Sequence, residues 1–491
     1  MEATPGGALL VLMLVIPVTG LLIAFAQGGR APERIALWLA PLGLAMAAVL
    51  LAGVLHAKAP VIAFVGGWAP PLGLALRADG LAAAMLMTTA VIIAAIILFA
   101  RADYMTPPGL PEARAPLAFW CFLLALWAAL NAAFLGGDLF NLFVALEMLT
   151  FGALALACLD GRATQFKAEL RYLLFALIGS VLYLLGTALL YGAYGTLDIL
   201  LLSRAARADA PTIVAASLMT VGLLGKMALF PLHLWLPAAH AGAPPAASAL
   251  LSGLVVKASY VLLLRLWFWV MPAALLLAVA PILALLGAAA ILFGSVVALR
   301  QARLKLLVAY STVAQIGYLF LMFPLAAGSL AEVAERAWTG GALQAISHAF
   351  AKAAMFLAAG VIARGMGHDR IAELHGAARV APLSVLAFGL AGLSLMGIPP
   401  SGGFTAKWLL LQAALYAGQW WWALVIVAGG LLTGGYVFRV LSAAMRAPAP
   451  DFAPAAPVDA MQERVALGLA VISVVLGLLP LAAFGLVLIG R

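Results

Sequence analysis

MTVGLLGKMALFPLHLWLPAAHAGAPPAASALLSGLVVKASYVLLL, residues 219–264, decides what kind of chain this is. It is apolar enough to cross a membrane twice, yet it carries Lys226, His233, His240 and Lys257 and is interrupted at Pro231 and Pro237. A charge at the bilayer centre costs about 2.5–3.5 kcal/mol on insertion scales. The same expense recurs at Glu147 in LFVALEMLTF (142–151), at Lys352 in HAFAKAAMFLAAG (348–360) and at Lys407 in GGFTAKWLLLQ (402–412). Ionisable groups repeated inside apolar runs read as stations on a proton or ion path.

The rest of the chain agrees with a membrane setting. Of its 491 residues 66% are hydrophobic and 9% charged, and the mean hydropathy is +1.15. The expected fold class is therefore an all-α polytopic membrane protein. The 48 glycines and 27 prolines suit a membrane bundle, where they permit close helix contacts and broken helices. A formal charge of +9 raises nucleic acid as a partner, but the basic residues stand at the ends of apolar runs, so the partner is the lipid bilayer. Cys121 and Cys158 fall inside apolar spans with no CxxC, which excludes iron–sulfur and structural zinc sites. The opening stretch, residues 1–26, lacks a basic leader and reads as a first transmembrane helix, not a cleaved signal.

About fourteen spans are expected, the first near 8–26 and the last near 463–488. Two runs are too long and look interrupted: 333–364 contains TGGALQAISH, and 381–416 contains GIPPSGGF, with a break at Pro399, Pro400, Gly402 and Gly403. The seventh span breaks at Pro231 and Pro237. Discontinuous helices at matched places in two halves point to a transport site. Residues 60–76, rich in Pro and Gly, should form a surface hairpin, and 447–460 a Pro/Ala linker in solvent. Lys and Arg in alternate loops number sixteen on one side, from Arg30 and Arg34 through Arg162 and Arg303 to Arg446 and Arg464. The other side, termini included, holds six: Lys58, Arg77, Arg204, Arg207, Arg336 and Arg491. The positive-inside rule makes the first side cytoplasmic and both termini extracytoplasmic, in the cell (inner) membrane.

Asp138 stands where a helix should begin, and Glu147 lies about two and a half turns further in, with Lys226 available as its partner. The competing reading is a neutral carboxylic acid hydrogen-bonded within the bundle. His233, seven residues after Lys226, is expected to be a relay or uptake-side residue, because histidine titrates near physiological pH. His240 is either a relay or a helix-end residue near the cytoplasmic face. His348 and Lys352, four apart, share one helix face. Lys407 follows its proline–glycine break much as Lys226 precedes its own; snorkelling is the competing reading for Lys352 and Lys407. Lys305 reads as a topology residue or an uptake-side charge. GLLGKM (222–227) has the wrong glycine spacing for a phosphate loop, and no GxGxxG, HExxH or GxSxG motif appears. No cofactor, no metal and no redox or hydrolytic chemistry of the chain's own is expected.

Five stretches, in order, carry a resemblance to a known family: GDLFNLFVALEML (137–149), 225–265, LKLLVAYSTVAQIGYL (304–319), HAFAKAAMFLAAG and GIPPSGGFTAKWLLL. The chain resembles the antiporter-like subunits of the complex I, Mrp cation/proton antiporter and energy-converting hydrogenase superfamily. The resemblance implies two inverted five-helix repeats, 116–268 (helices 4–8) and 273–445 (helices 9–13), with broken helices at spans 7 and 12. Helices 1–3 with an extracellular hairpin occupy 1–115, and a linker and helix 14 occupy 446–491. It also implies a Glu147–Lys226 pair, a central Lys257, a distal charge at Lys407, and other membrane subunits as partners. The transported ions would be protons, with Na⁺ or K⁺ in exchange in some members. Lys407 and DLFNLF lean towards the Mrp D-type or hydrogenase-type members, whereas LPAAHAGAPPAASALLSG looks more like complex I and hydrogenase subunits. With little sequence after span fourteen to form the long lateral helix of the distal complex I subunit, that member is not expected.

The leading functional reading is a proton (or cation/proton) translocating subunit of a multi-subunit membrane complex. Two others compete: a non-conducting scaffold subunit of such a complex, and an autonomous secondary transporter. Intact charges along the axis argue against the scaffold, and the lack of a substrate-sized polar cluster off that axis argues against the transporter.

Overall fold

In lipid a backbone must satisfy its own polar groups, so long apolar runs can cross only as helices, and helices are what they form. The computed structural model describes every residue except Met1, Glu2, Pro108, Asp160, Arg162, Ala449 and Asp451. Arg162 of the charge count, and Ala449 and Asp451 of the linker, thus lie outside the described residues. In chain order the spans are α1 (Ala8–Gln27), α2 (Ala31–Ala57), α3 (Gly80–Tyr104), α4 (Arg114–Leu135), α5 (Leu139–Ala157) and α6 (Ala163–Tyr194). The seventh span is two half-helices, α7 (Ala210–Lys226) and α8 (Trp235–Gly242). There follow α9 (Pro245–Val270), α10 (Ala273–Arg300), α11 (Leu304–Ala326) and α12 (Ala331–Met366). The twelfth span is again split, into α13 (Pro382–Met396) and α14 (Gly402–Tyr416), before α15 (Trp420–Ala444) and α16 (Ala460–Leu478).

Among the described residues twelve helices are long and apolar enough to cross a membrane, and the shorter apolar α7 and α13 are the first halves of spans seven and twelve. Twelve and two make the fourteen spans expected. The chain is a multi-pass membrane protein. Its most enclosed helices are α9, α11 and α12, and of these α9 and α12 carry Lys257, His348 and Lys352 at the bundle centre.

The acids at helix starts act as caps, each accepting backbone N–H groups that the helix leaves unpaired. Asp138 accepts from Phe140 and Asn141 of α5, and Asp209 from Thr212 of α7. Strands β1 (Val61–Phe64) and β2 (Ala75–Ala78) pair antiparallel, Val61 opposite Ala78. A single bridge from Leu76 to Gly136 ties this hairpin to the turn before α5, and one from Asp138 to Asp198 ties the start of α5 to the segment after α6. The opposite face carries Arg303, Arg364 and His368.

Three expectations need correction. The run 333–364 is not interrupted: α12 is one helix of 36 residues. Its glycines serve close packing, since a Cβ on Gly341 would lie 2.2 Å from the Met322 sulfur and one on Gly340 would lie 3.0 Å from Leu410. Its polar residues Gln344, Ser347 and His348 face the bundle interior, so the helix has no reason to open. The fourteenth span, by contrast, is interrupted. It leaves helix after Leu478, and 481–488 continue as a 3₁₀ coil beyond Pro480, which has no N–H to offer. Gly477 sits against the Ser401 backbone there, where a Cβ would come within 2.2 Å of a carbonyl carbon. The linker is not wholly in solvent, because Ala455 donates its N–H to the Gly365 carbonyl at 2.9 Å.

Candidate functional site

The site begins where α5, α6 and α7 meet. Gly179 and Gly222 bring α6 and α7 together backbone to backbone; a Cβ on Gly222 would be 2.3 Å from the Gly179 carbonyl oxygen. That contact sets the last residue of α7, Lys226, against α5. Its ammonium donates to the Glu147 carboxylate at 3.1 Å and to the Thr150 hydroxyl at 3.0 Å. Ser180 of α6 donates to the same carboxylate. The end of α7 suits a cation, because helix carbonyls point there. Trp235 at the start of α8 donates to the Gly225 carbonyl at 2.9 Å, pinning the two half-helices across the break. A small cavity of about 10 Å³, lined by Lys226, Thr150, Tyr172 and Ser259, leads from the pair towards α9. That is room for about one water molecule.

Lys257 lies just beyond a π-helical stretch of α9, Leu251–Val255. A π-turn widens the helix and frees a carbonyl, and such turns recur at functional sites. Here the freed acceptor is the Ser252 carbonyl, to which Lys257 donates, while the Ser252 hydroxyl pairs with Thr312 at 2.9 Å. Lys352 of α12 donates to the Val308 carbonyl at 2.9 Å and to the Ser311 hydroxyl. His348 lies one turn before it, in electrostatic range of Lys257, Lys352 and Lys407. Neither imidazole nitrogen of His348 has a partner among the described residues.

Lys407 closes the file. It lies on α14, but its ammonium donates back to the Leu395 carbonyl at 2.5 Å and the Met396 carbonyl at 3.5 Å, the carboxyl end of α13. The same ammonium stands 4.0 Å from the centre of the Tyr318 ring. Snorkelling is therefore not what Lys352 and Lys407 do: both heads point into the bundle, fixed by named acceptors. Lys407 also borders a cavity of about 330 Å³ with Gly397, Phe404 and Gly430.

The two histidines of the broken seventh span separate. His240 lies in the last turn of α8 but does not face solvent. It is fully buried, stacks on Phe356 at 4.4 Å, and lies in range of Lys352, Lys305 and Lys257. His233 is buried in an aromatic nest of Phe230, Phe293 and Tyr310. Among the described residues no hydrogen bond joins His233 to the lysine file. Lys305 donates to the Ala243 carbonyl at 3.2 Å and borders a vestibule of about 760 Å³ on the basic face, together with Gly242, Arg303, Arg364 and His368.

Several members of this network escaped the sequence reading. Gln344 donates to Gln315 at 3.1 Å, and Gln315 donates to the Leu395 carbonyl at 3.1 Å and to Thr433 at 3.3 Å. Gln344, His348 and Lys352 lie four apart on one face of α12, a spacing that could have flagged the glutamine. Among the described residues no group of three or more His, Cys, Asp or Glu could hold a metal ion.

Comparison with known proteins matches residues 136–433, the stretch that holds every station of the file, to the family described as NADH:quinone oxidoreductase/Mrp antiporter, TM. The N-type subunit of the NADH-quinone oxidoreductase of Desulforudis audaxviator is 37% identical over 407 residues, 81% of this chain and 78% of that one. The D-type subunit of the Na(+)/H(+) antiporter of Alkalihalophilus pseudofirmus is 30% identical over 431 residues, 87% of this chain and 84% of that one. Among solved structures, a chain of the Mrp complex from Dietzia sp. superposes with a TM-score of 0.88 at 26% identity, covering 98% of this chain and 96% of that one.

Proposed function

This chain belongs to the NADH:quinone oxidoreductase/Mrp antiporter family of membrane subunits, and from that premise we propose that it moves protons along its buried file of Glu147, Lys226, Lys257, Lys352 and Lys407. It works as an antiporter-like subunit among other membrane subunits of an Mrp- or complex I-type assembly. The observation that carries the reading is the Glu147–Lys226 ion pair, 3.1 Å apart and placed at a helix break. Opposite charges in low dielectric are strongly coupled, so separating them resets the proton affinity of each. An open pair would leave Lys226 free to pass its proton towards Lys257, which among the described residues is held by the Ser252 carbonyl alone. His240 and His348, in range of Lys257 and Lys352, suit the role of relays between charged stations. The basic face is assigned to the cytoplasm by the excess of Lys and Arg there, with the cell membrane as the location and both termini on the outer side.

The test is proton flux into liposomes that hold the whole complex, read with a pH-sensitive dye. Lys257→Ala should leave assembly intact and stop the flux. A scaffold role predicts unchanged flux in that variant, and an autonomous transporter predicts undiminished flux from the isolated chain.

A further inference from the structure

Glu169 takes no part in the file described above, yet it is buried in α6 with only 1% of its surface exposed. Neither carboxylate oxygen has a partner among the described residues, and the same holds for both polar atoms of Gln165, one turn earlier. Leaving such groups unpaired is costly in a closed core, so the site should be one that water enters. Their surroundings agree. Gln165, Glu169, Tyr172, Ala176 and Ser180 are spaced by four, three, four and four residues, which places them on one face of α6, and all five are buried. At one end of this stripe Gln165 packs on Gly242, where a Cβ would lie 3.4 Å from the glutamine side chain, and Gly242 borders the vestibule on the basic face. At the other end Tyr172 borders the small cavity beside Lys226, and Ser180 donates to Glu147.

We propose that Glu169 is the proton-uptake station of the first half of the chain, loading the Glu147–Lys226 pair from the vestibule by way of Gln165 and Tyr172. The proposal rests on the proton-translocating reading given above. The Glu169 carboxylate takes a proton from vestibule water, forming an O–H bond. That bond breaks towards the cavity side, the proton ends on the amine of Lys226, and the carboxylate is regenerated for the next uptake. Tyr172 stacks on Trp235 at 4.4 Å, and its hydroxyl is within hydrogen-bond reach of Thr150, the same residue that accepts from Lys226. Other titratable groups in range of Glu169 are Cys158, at the end of α5, and Tyr172 itself. Neither is an ordinary proton donor at neutral pH, so among the described residues of this stripe the carboxylate is the carrier.

The experiment is dye-monitored proton uptake by everted membrane vesicles that carry the intact complex. Glu169→Gln keeps shape and removes the titrating oxygen, and it should slow uptake by about tenfold or more. Glu169→Asp should restore part of the rate, which a merely structural side chain would not do. Wild-type uptake in an assembled Glu169→Gln complex overturns the proposal. If that variant does not assemble, Tyr172→Phe decides, since it keeps the stack on Trp235 and loses only the hydroxyl; unchanged uptake there overturns the route. Lys226→Ala separates the two readings. Uptake that survives in Lys226→Ala refutes proton passage through the pair altogether, whereas uptake lost in Lys226→Ala but intact in Glu169→Gln refutes the uptake route alone.

Discussion

The ammonium of Lys407 lies 2.5 Å from the carbonyl oxygen of Leu395, although the two residues belong to different halves of the same broken span. A helix end leaves its last carbonyls unpaired, and an adjacent cation is drawn to them. The break at Gly397–Ser401 thus exposes the acceptors, and the lysine of the second half satisfies them. Lys226 uses the other logic, sitting at the end of the first half-helix and reaching across to Glu147 on a neighbour.

Lys407→Arg follows from that relationship. Arginine would keep the positive charge by the α13 carbonyls and above the Tyr318 ring, but it does not release its proton at accessible pH. We expect Lys407→Arg to impair proton transport strongly, nearly as much as Lys407→Ala, in complexes that assemble normally. A fully active arginine variant in a flux assay would make Lys407 a fixed charge, with the proton leaving elsewhere.

Glu147→Gln should abolish ion-coupled transport while leaving insertion and assembly intact. The amide can still accept from Ser180 and Lys226, so the geometry survives and only the charge that attracts the lysine is lost. Growth of a complemented deletion strain, together with complex abundance on native gels, checks this. Wild-type transport at normal abundance would remove the pair from the mechanism.

The charged residues of the file were legible in the sequence because charge in an apolar run is rare and conspicuous. What was not legible is their neutral company. Thr150, Ser180, Ser311, Gln315 and Gln344 are compatible with any membrane helix, and only tertiary contact reveals that they hold the charged groups or link one helix to the next. Arg265 shows that a buried charge alone does not mark the file. It is a buried charge in an apolar span, but its guanidinium donates to the Phe134 and Gly136 carbonyls at the end of α4, so it caps a helix and lies off the file. Broken helices divided the same way. Pro231 and the Pro–Gly cluster at 397–403 do fall in breaks, whereas Pro237 lies inside the first turn of α8 and Gly340–Gly341 stay helical, because a proline in a first turn costs no hydrogen bond and a glycine with a neighbour pressed against it stays helical.

Side assignment gives a separate test. Cysteines placed near Arg370 should be shielded from an impermeant thiol reagent added outside intact cells, because the basic face is assigned to the cytoplasm. Cysteines near Arg207 should be labelled. The reverse pattern would turn the whole chain over, and the vestibule beside Lys305 would become an exit.

Gly222→Ala tests how the ion pair is positioned. The added methyl would fall 2.3 Å from the Gly179 carbonyl oxygen and 3.1 Å from the Tyr183 backbone nitrogen, both backbone atoms that cannot turn aside. α6 and α7 must then move apart, at a cost of about 1–3 kcal/mol typical of overpacking. Because Ser180 and Lys226 lie on either side of this contact, the shift should lengthen the reach from Lys226 to Glu147 before it unfolds anything. We therefore expect reduced transport with the protein still present in the complex, and a Gly179→Ala variant should behave alike, its methyl meeting the Gly222 carbonyl at 2.7 Å. Normal transport in both variants would show that the spacing of α6 and α7 does not set the pair.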